Sequence, residues 1–401
     1  MEDALVVENL DDADEEVPSA AEGGRVDPDE FFAKNAFRII YQTNNFLLPQ
    51  IRDLIDKGEV LNLRPEYQRR LRWSDPQKSR LIESLLLNIP IPPVFLFESD
   101  AARYEVMDGQ QRLNAVREFI GGGFSLSGLE VLKPLNGLRY LRCPPRIKRA
   151  LDRATLSTIV LLLESEPPAA GGRGLSTADI RRIIFDRLNT GGTKLNQQEL
   201  RNAIYPGKFN RVLVDISRFR PFTDTFEIPA YTEDDPTEYY ENEERQKNTL
   251  YSTMADCQLI LRYFALKEDA NIRGSMKAML DRAMEKRMGI SEADAKALEA
   301  EFKDRFAFLH VLFDGRPFRL PPNERGRMRV SAAIYDASMV AMGVLWDKRS
   351  DILAQKHVVQ ARMAEALNDD SRLTILTGQG NTAQAVRDRI TLMEGIFRPA
   401  E

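Results

Sequence analysis

Apolar positions recur at helical spacing in three stretches of the first half of the chain. Leu47, Ile51, Leu54 and Ile55 share one face towards the end of residues 31–57. Leu81, Ile82, Leu85 and Leu86 share another between Ser74 and Asn88, with Lys78 and Arg80 turned outward, and Leu113, Val116 and Phe119 or Ile120 mark a third. Ser74 followed by Asp-Pro-Gln supplies a cap and a first-turn proline for the second of these. Short apolar runs at 60–63, 94–97, 104–107 and 158–163 read as strands, and Ile89-Pro-Ile-Pro-Pro93 breaks the chain between helix and strand. Alternating strands and helices predict a small α/β domain. Further along, Ser176-Thr-Ala-Asp179 reads as a cap for a helix carrying Ile180, Ile183, Ile184 and Leu188, and Asn196-Gln-Gln-Glu199 caps the next. From about residue 248 the pattern is helical to near the C-terminus, apart from a Gly/Pro/Arg interruption at 315–327. The class expected is α+β: a small α/β domain followed by a mostly helical one, divided as 1–30, 31–230 and 231–401.

Charge sharpens this division. Residues 1–30 hold twelve acids and one base, Arg25, so taking their net −11 from the chain's −5 leaves +6 for residues 31–401. An acidic leader with Gly, Pro and Ala reads as disordered. No stretch reaches the roughly 18 to 20 apolar residues of a membrane span, and an acidic N-terminus is not a secretory signal. Two cysteines, Cys143 and Cys257, far apart and without a CxxC pattern, read as reduced thiols, so a cytoplasmic location is expected. Only two histidines occur, His310 and His357, with no ligand pattern around them. This argues against a His-rich zinc site, a His–Asp phosphohydrolase or a His-metal-finger nuclease.

The richest local chemistry lies in Tyr104-Glu-Val-Met-Asp-Gly-Gln-Gln-Arg112, a strand, a glycine turn and a helix start. Gly109 permits close backbone approach, the helix N-terminus offers N–H groups and a positive dipole end, and Arg112 adds a forked cation. That combination suits a phosphate. Asp108 can hold a metal ion or cap the helix, and Gln110 and Gln111 can orient a water or make structural hydrogen bonds. Elsewhere, Arg70, Arg72, Arg142, Arg146 and Arg149 lie in basic stretches suited to DNA phosphates, although an exposed arginine helix is also common.

Several segments occur in one order: Pro65-Glu-Tyr-Gln-Arg69, Trp73, Ile89-Pro-Ile-Pro-Pro93, Asp108-Gly-Gln-Gln-Arg112, Phe185-Asp-Arg-Leu-Asn-Thr-Gly-Gly-Thr193 and Leu195-Asn-Gln-Gln-Glu-Leu-Arg-Asn-Ala203. Over roughly residues 35–225 the chain thereby resembles the N-terminal domain of GmrS/GmrD-type modification-dependent restriction systems, a branch of the ParB/sulfiredoxin-like fold. The later Leu259-Ile-Leu-Arg-Tyr-Phe-Ala265 and Thr377-Gly-Gln-Gly-Asn-Thr segments resemble that family's helical extension.

The resemblance implies an NTP pocket with Mg²⁺, in which Asp108, Gly109, Gln110, Gln111 and Arg112 form the phosphate and metal corner. Tyr67, Gln68 and Arg69 would face it, and Asn189 and Thr193 would form a second wall unless their loop merely links two helices. In that setting Gln110 or Gln111 would orient a water towards a γ-phosphate while Arg69 and Arg112 neutralise developing charge. The family's fused members carry an HNH nuclease domain that is not expected in this sequence. The reading is therefore an NTP-binding and NTP-hydrolysing sensor of modified DNA that works with a separate nuclease and forms a homo-oligomer. Its alternatives are a non-hydrolysing nucleotide-gated DNA clamp and a metal-dependent nuclease using Asp108 with Asp186 or Glu199.

Overall fold

A computed structural model describes residues 6–8, 40–57, 60–63, 73–100, 103–162, 181–184, 187, 196–205, 207–231, 242–321, 329–378 and 380–399. The chain divides into two units, one spanning residues 20–194 and the other combining 1–19 with 195–401. Strand β1 (Val6–Glu8) belongs to the latter.

The first unit is built on a mixed five-stranded sheet of β2 (Tyr41–Leu47), β3 (Leu61–Asn62), β4 (Val94–Asp100), β5 (Arg103–Asp108) and β6 (Thr155–Leu161), in the order β2-β6-β4-β5-β3. β6 runs antiparallel to β2 and parallel to β4, while β5 is antiparallel to β4 and parallel to β3. Alternate residues Val94 and Leu96, with Val106, Leu156 and Val160, enter a core shared with four helices. These are α1 (Leu48–Asp56), α2 (Asp75–Leu86), α3 (Gln110–Gly121) and α4 (Pro145–Arg153), which pack on one another. α3 is held by Leu113, Val116, Phe119 and Ile120, the spacing that the sequence shows, and all four are buried. α2 begins at Asp75 behind the N-cap Ser74, with Pro76 in its first turn as expected, and Gln77 Oε1 accepts from the Ser74 N–H at 2.9 Å.

Two local expectations differ from the structure. Leu47 is the last residue of an edge strand, not part of the α1 face, because Tyr41–Leu47 pairs along its whole length with β6. Lys78 is not outward on α2. It is half-buried, paired with Glu118 at 2.7 Å and set over the Phe124 ring at 5.2 Å, so its apolar stem covers core while its ammonium finds a carboxylate.

The second unit is mostly helical. It contains α5 (Gln197–Ile204), α6 (Lys208–Ser217), α7 (Arg220–Thr225), α8 (Ala255–Leu266), α9 (Met276–Lys286), α10 (Glu292–Leu312), α11 (Ala332–Val344), α12 (Lys356–Asn368) and α13 (Ala383–Phe397). β7 (Arg319–Leu320) and β8 (Arg329–Ser331) make a small sheet in which β1 lies parallel to β8, secured by Arg329 to Glu8 at 2.7 Å. Three residues of the acidic leader are therefore ordered strand. α8 is buried on every side, which is why its sequence shows no polar face. Phe222, Phe226, Phe302, Phe306, Phe318 and Tyr335 form a continuous aromatic cluster. The division falls at residue 195 where the sequence reading placed it at 230, because α5, α6 and α7 pack on α8 and α10.

Candidate functional site

The first unit's most developed corner is where β5 passes into α3. Gly109 stands between them at φ +95°, a left-handed conformation that side chains avoid. A Cβ there would lie 2.7 Å from Val94 Cγ2, so the strand β4 wall also excludes one. Asp108 closes β5 opposite Phe95, where the β4–β5 register shifts, and the irregularity turns this end of the strand out of the regular pleat. The first turn of α3 has backbone N–H groups that a helix cannot satisfy internally. Space for a backbone to meet a ligand, helix-start donors and a positive dipole end thus coincide at Asp108–Arg112.

The side chains of the motif are tied to its surroundings. Arg112 Nη2 donates to Asp108 Oδ2, and Nη1 donates to the carbonyls of Pro92 and of Pro93, the latter at 3.3 Å. The arginine side chain is only 12% exposed while the aspartate side chain is 41% exposed, so the carboxylate faces solvent and the guanidinium backs it from inside. The Ile-Pro-Ile-Pro-Pro segment is thereby a fixed edge of the corner. Gln110 Nε2 donates to the Leu63 carbonyl at 2.9 Å, and Gln111 Oε1 accepts from the Trp73 N–H at 3.2 Å. Leu63 and Trp73 flank residues 64–72, so adjacent glutamines hold the two flanks of that segment.

Tyr67, Gln68, Arg69, Arg70 and Arg72 fall in 64–72 and lie outside the described residues, as do Asn189 and Thr193. Asp108, Gly109, Gln110, Gln111 and Arg112 are brought together, with Leu63, Trp73, Pro92, Pro93 and Val94 as neighbours to which the sequence assigns no role at the corner. Proline carbonyls carry no side-chain signal, and only the fold brings them to Arg112.

As to Mg²⁺, the corner offers one exposed carboxylate, and the described residues contain no group of three or more His, Cys, Asp or Glu suited to a metal. A hard cation that keeps most of its waters and is shared with substrate phosphates asks no more of a protein, so the donor set fits. Glu199, a nuclease candidate with Asp108, is buried and caps α5 by accepting from the Asn196 N–H at 2.9 Å.

A second surface lies on α4. Arg146 and Arg149 on the helix and Arg142 in the turn before it are exposed, with no carboxylate partner among the described residues, while Leu151 anchors the opposite side of the helix. Tyr140 fixes the approach to this helix by donating to Asp152, and burial with that carboxylate pushes its hydroxyl up to about 12. Such a face suits phosphate backbones.

Residues 51–206 match the family model of the GmrSD restriction endonuclease N-terminal domain. Over this span the chain is similar to a GmrSD-type N-terminal domain. The match covers the corner, the flanks held by Gln110 and Gln111, and the α4 face, and the matched family is one of DNA restriction. The GmrSD family fits a ParB-like fold, in keeping with the mixed sheet and α+β class seen here. No curated protein and no solved structure matches the chain. Among the described residues no helix is long and apolar enough to cross a membrane.

Proposed function

We propose that the chain binds and hydrolyses an NTP with Mg²⁺, and serves as the sensor and specificity subunit of a modification-dependent restriction system whose cleavage is performed by a separate nuclease. The observation that carries this reading is the Gly109 turn, where an exposed aspartate, a forked arginine and a helix start meet in a space that a Cβ would fill. Phosphate oxygens would accept from the first N–H groups of α3 and from Arg112, and Asp108 would share Mg²⁺ with them. Bound Mg²⁺ would neutralise charge between the β- and γ-phosphates. Gln110, its amide nitrogen fixed on the Leu63 carbonyl, would present its Oε1 to an attacking water. Arg142, Arg146 and Arg149 would lie along the DNA backbone, modified or not, and nucleotide state would change what the partner nuclease meets.

The alternative is a nucleotide-gated DNA-binding protein that does not hydrolyse. It is favoured by the structural bonds of both glutamines, which serve a binding corner without any chemistry. Phosphate release from each of four NTPs with Mg²⁺, with and without modified DNA, tests both. Release that DNA modulates and that Asp108→Asn abolishes supports the hydrolase. Nucleotide-dependent DNA affinity without release supports the gate. The corner is not a nucleotide site if Asp108→Asn and Arg112→Lys both bind nucleotide as the wild type does.

A further inference from the structure

We propose that the second unit holds a phosphate-binding cavity, separate from the Gly109 corner, between α9 and the turn that precedes it. The cavity is about 340 Å³, near the lower end for small-ligand sites, and Glu268, Asn271, Arg273, Arg282, Lys286 and Arg287 are among the residues lining it. Its cations are not evenly neutralised. Lys286 and Arg287 share one carboxylate, Glu268, at 2.5 Å and 2.7 Å. Arg282 reaches only neutral acceptors: Asn271 Oδ1 at 2.9 Å, the Asn271 carbonyl at 2.9 Å and the Arg273 carbonyl at 2.5 Å. Arg273 is exposed and has no ion pair among the described residues. Four cations thus line the cavity with two acids, Glu268 and the exposed Glu285.

The proximity of Arg273 and Arg282 is felt electrostatically. Burial first and Arg273 second lower the hold of Arg282 on its proton. A clamp role for Arg282 explains its three bonds to the turn, but it leaves the position of Arg273 unaccounted for. The turn is also pre-positioned from outside. Asn271 Nδ2 donates to the Ala265 and Met279 carbonyls at 2.8 Å and 3.0 Å, and Arg387 holds Asp269 at 2.9 Å and the Ile272 carbonyl at 2.8 Å. Arg282, fixed against the turn from α9, and Arg273, carried by the turn itself, with an excess of positive charge in a concave site, form a receptor for a phosphate group. The phosphate can come from a nucleic-acid backbone or from a free phosphorylated molecule.

Inorganic pyrophosphate binding to the full chain, measured by calorimetry, and duplex DNA binding, measured by anisotropy over a salt series, separate these sources. Arg273→Gln is the first variant, because this exposed side chain makes none of the turn's bonds, and Arg282→Lys is the second. Loss of one pyrophosphate site, with affinity down about tenfold or more and DNA binding unchanged, identifies a free phosphorylated ligand. Weaker DNA binding, with the salt slope reduced by about one, identifies a backbone contact. Both variants binding pyrophosphate and DNA as the wild type does would overturn the proposal. Arg112→Lys alters the Gly109 corner alone, so the two sites fail separately.

Discussion

Arg112 donates to Asp108 across one turn, so the two charged residues of the motif neutralise each other within the corner. An incoming phosphate must therefore compete with Asp108 for the guanidinium, and Mg²⁺ must draw the carboxylate the other way. Asp108→Asn should tighten nucleotide binding without Mg²⁺ by roughly three- to tenfold and remove the dependence on Mg²⁺. Arg112→Lys should weaken nucleotide binding about tenfold and lower stability by about 1.5–3 kcal/mol, because a single ammonium cannot replace the fork that reaches Asp108 and the Pro92 and Pro93 carbonyls together. Equilibrium binding with and without EDTA, beside urea unfolding, gives both quantities. Unaltered Mg²⁺ dependence in Asp108→Asn would remove the metal role from Asp108.

Trp73 offers a direct reporter, since its backbone N–H is held by Gln111 and the chain has only one other tryptophan, Trp346. In a Trp346→Phe background, a nucleotide seated at the corner should shift Trp73 emission, and Gln111→Ala should change both the resting spectrum and the response. Gln111→Ala should also lower stability by about 0.5–1.5 kcal/mol, the value of one such hydrogen bond. A spectrum indifferent to saturating nucleotide would place the nucleotide elsewhere.

Gly109 tests the shape of the corner. Gly109→Ala combines a left-handed backbone, about 1–2 kcal/mol, with overpacking against Val94 of about 1–3 kcal/mol. Val94→Ala should recover the packing part but not the backbone part. Chemical unfolding of the two single variants and the double variant measures the split. Additivity between them would mean that the close approach to Val94 carries no energy.

Acid sensitivity should arise at Glu83, on α2. Burial raises its pKa, but the N–H groups of Leu132 (2.6 Å), Val131 (2.9 Å) and Glu130 (3.3 Å) outweigh it and hold the carboxyl below its ordinary 4.5. A depressed folded pKa contributes stability that is present above the unfolded pKa and is lost as pH falls through the folded one. From about pH 6 to about pH 3 the wild type should therefore lose more stability than Glu83→Gln. Parallel urea midpoints would expose a carboxylate that is not ionised in the fold.

The corner was legible because its signals are local: a glycine between a strand run and a helical period, with charged residues at fixed offsets. What the sequence hid depends on distant partners. Tyr41–Leu47 is a polar edge strand with two asparagines, whose β-character comes from pairing with β6 and not from its own composition. The apolar face of α6 shows that Phe209, Val212, Leu213 and Ile216 are buried, but not that they pack with α8 and α10. The α9 cavity was invisible for a related reason. Glu268 to Arg287 reads as an ordinary charged helix, and only the turn at Asn271 brings Arg273 to Arg282.

Helix α8, which packs against α9, also carries one partner of a buried ion pair. Arg262 on α8 donates from Nε to both oxygens of Asp336 on α11, at 3.1 Å and 3.0 Å, and from Nη2 to Oδ2 at 2.5 Å. Burial pushes the Asp336 carboxyl up and Arg262 pulls it back, and the forked geometry is that of an ionised carboxylate. Arg389 also feels this charge, so Asp336 balances two buried guanidiniums. Asp336→Asn keeps the shape and removes the charge. It should cost about 3–5 kcal/mol, because cations are left uncompensated in the core. The double variant Arg262→Met/Asp336→Leu should be less destabilised than Asp336→Asn, since it removes one cation together with the anion. Because α8 also supplies the Phe264 carbonyl to Arg287 at 3.3 Å, pyrophosphate affinity at the α9 cavity should fall with Asp336→Asn and recover in the double variant. A cost for Asp336→Asn below about 1 kcal/mol would mean that the carboxyl is protonated in the fold and balances neither arginine.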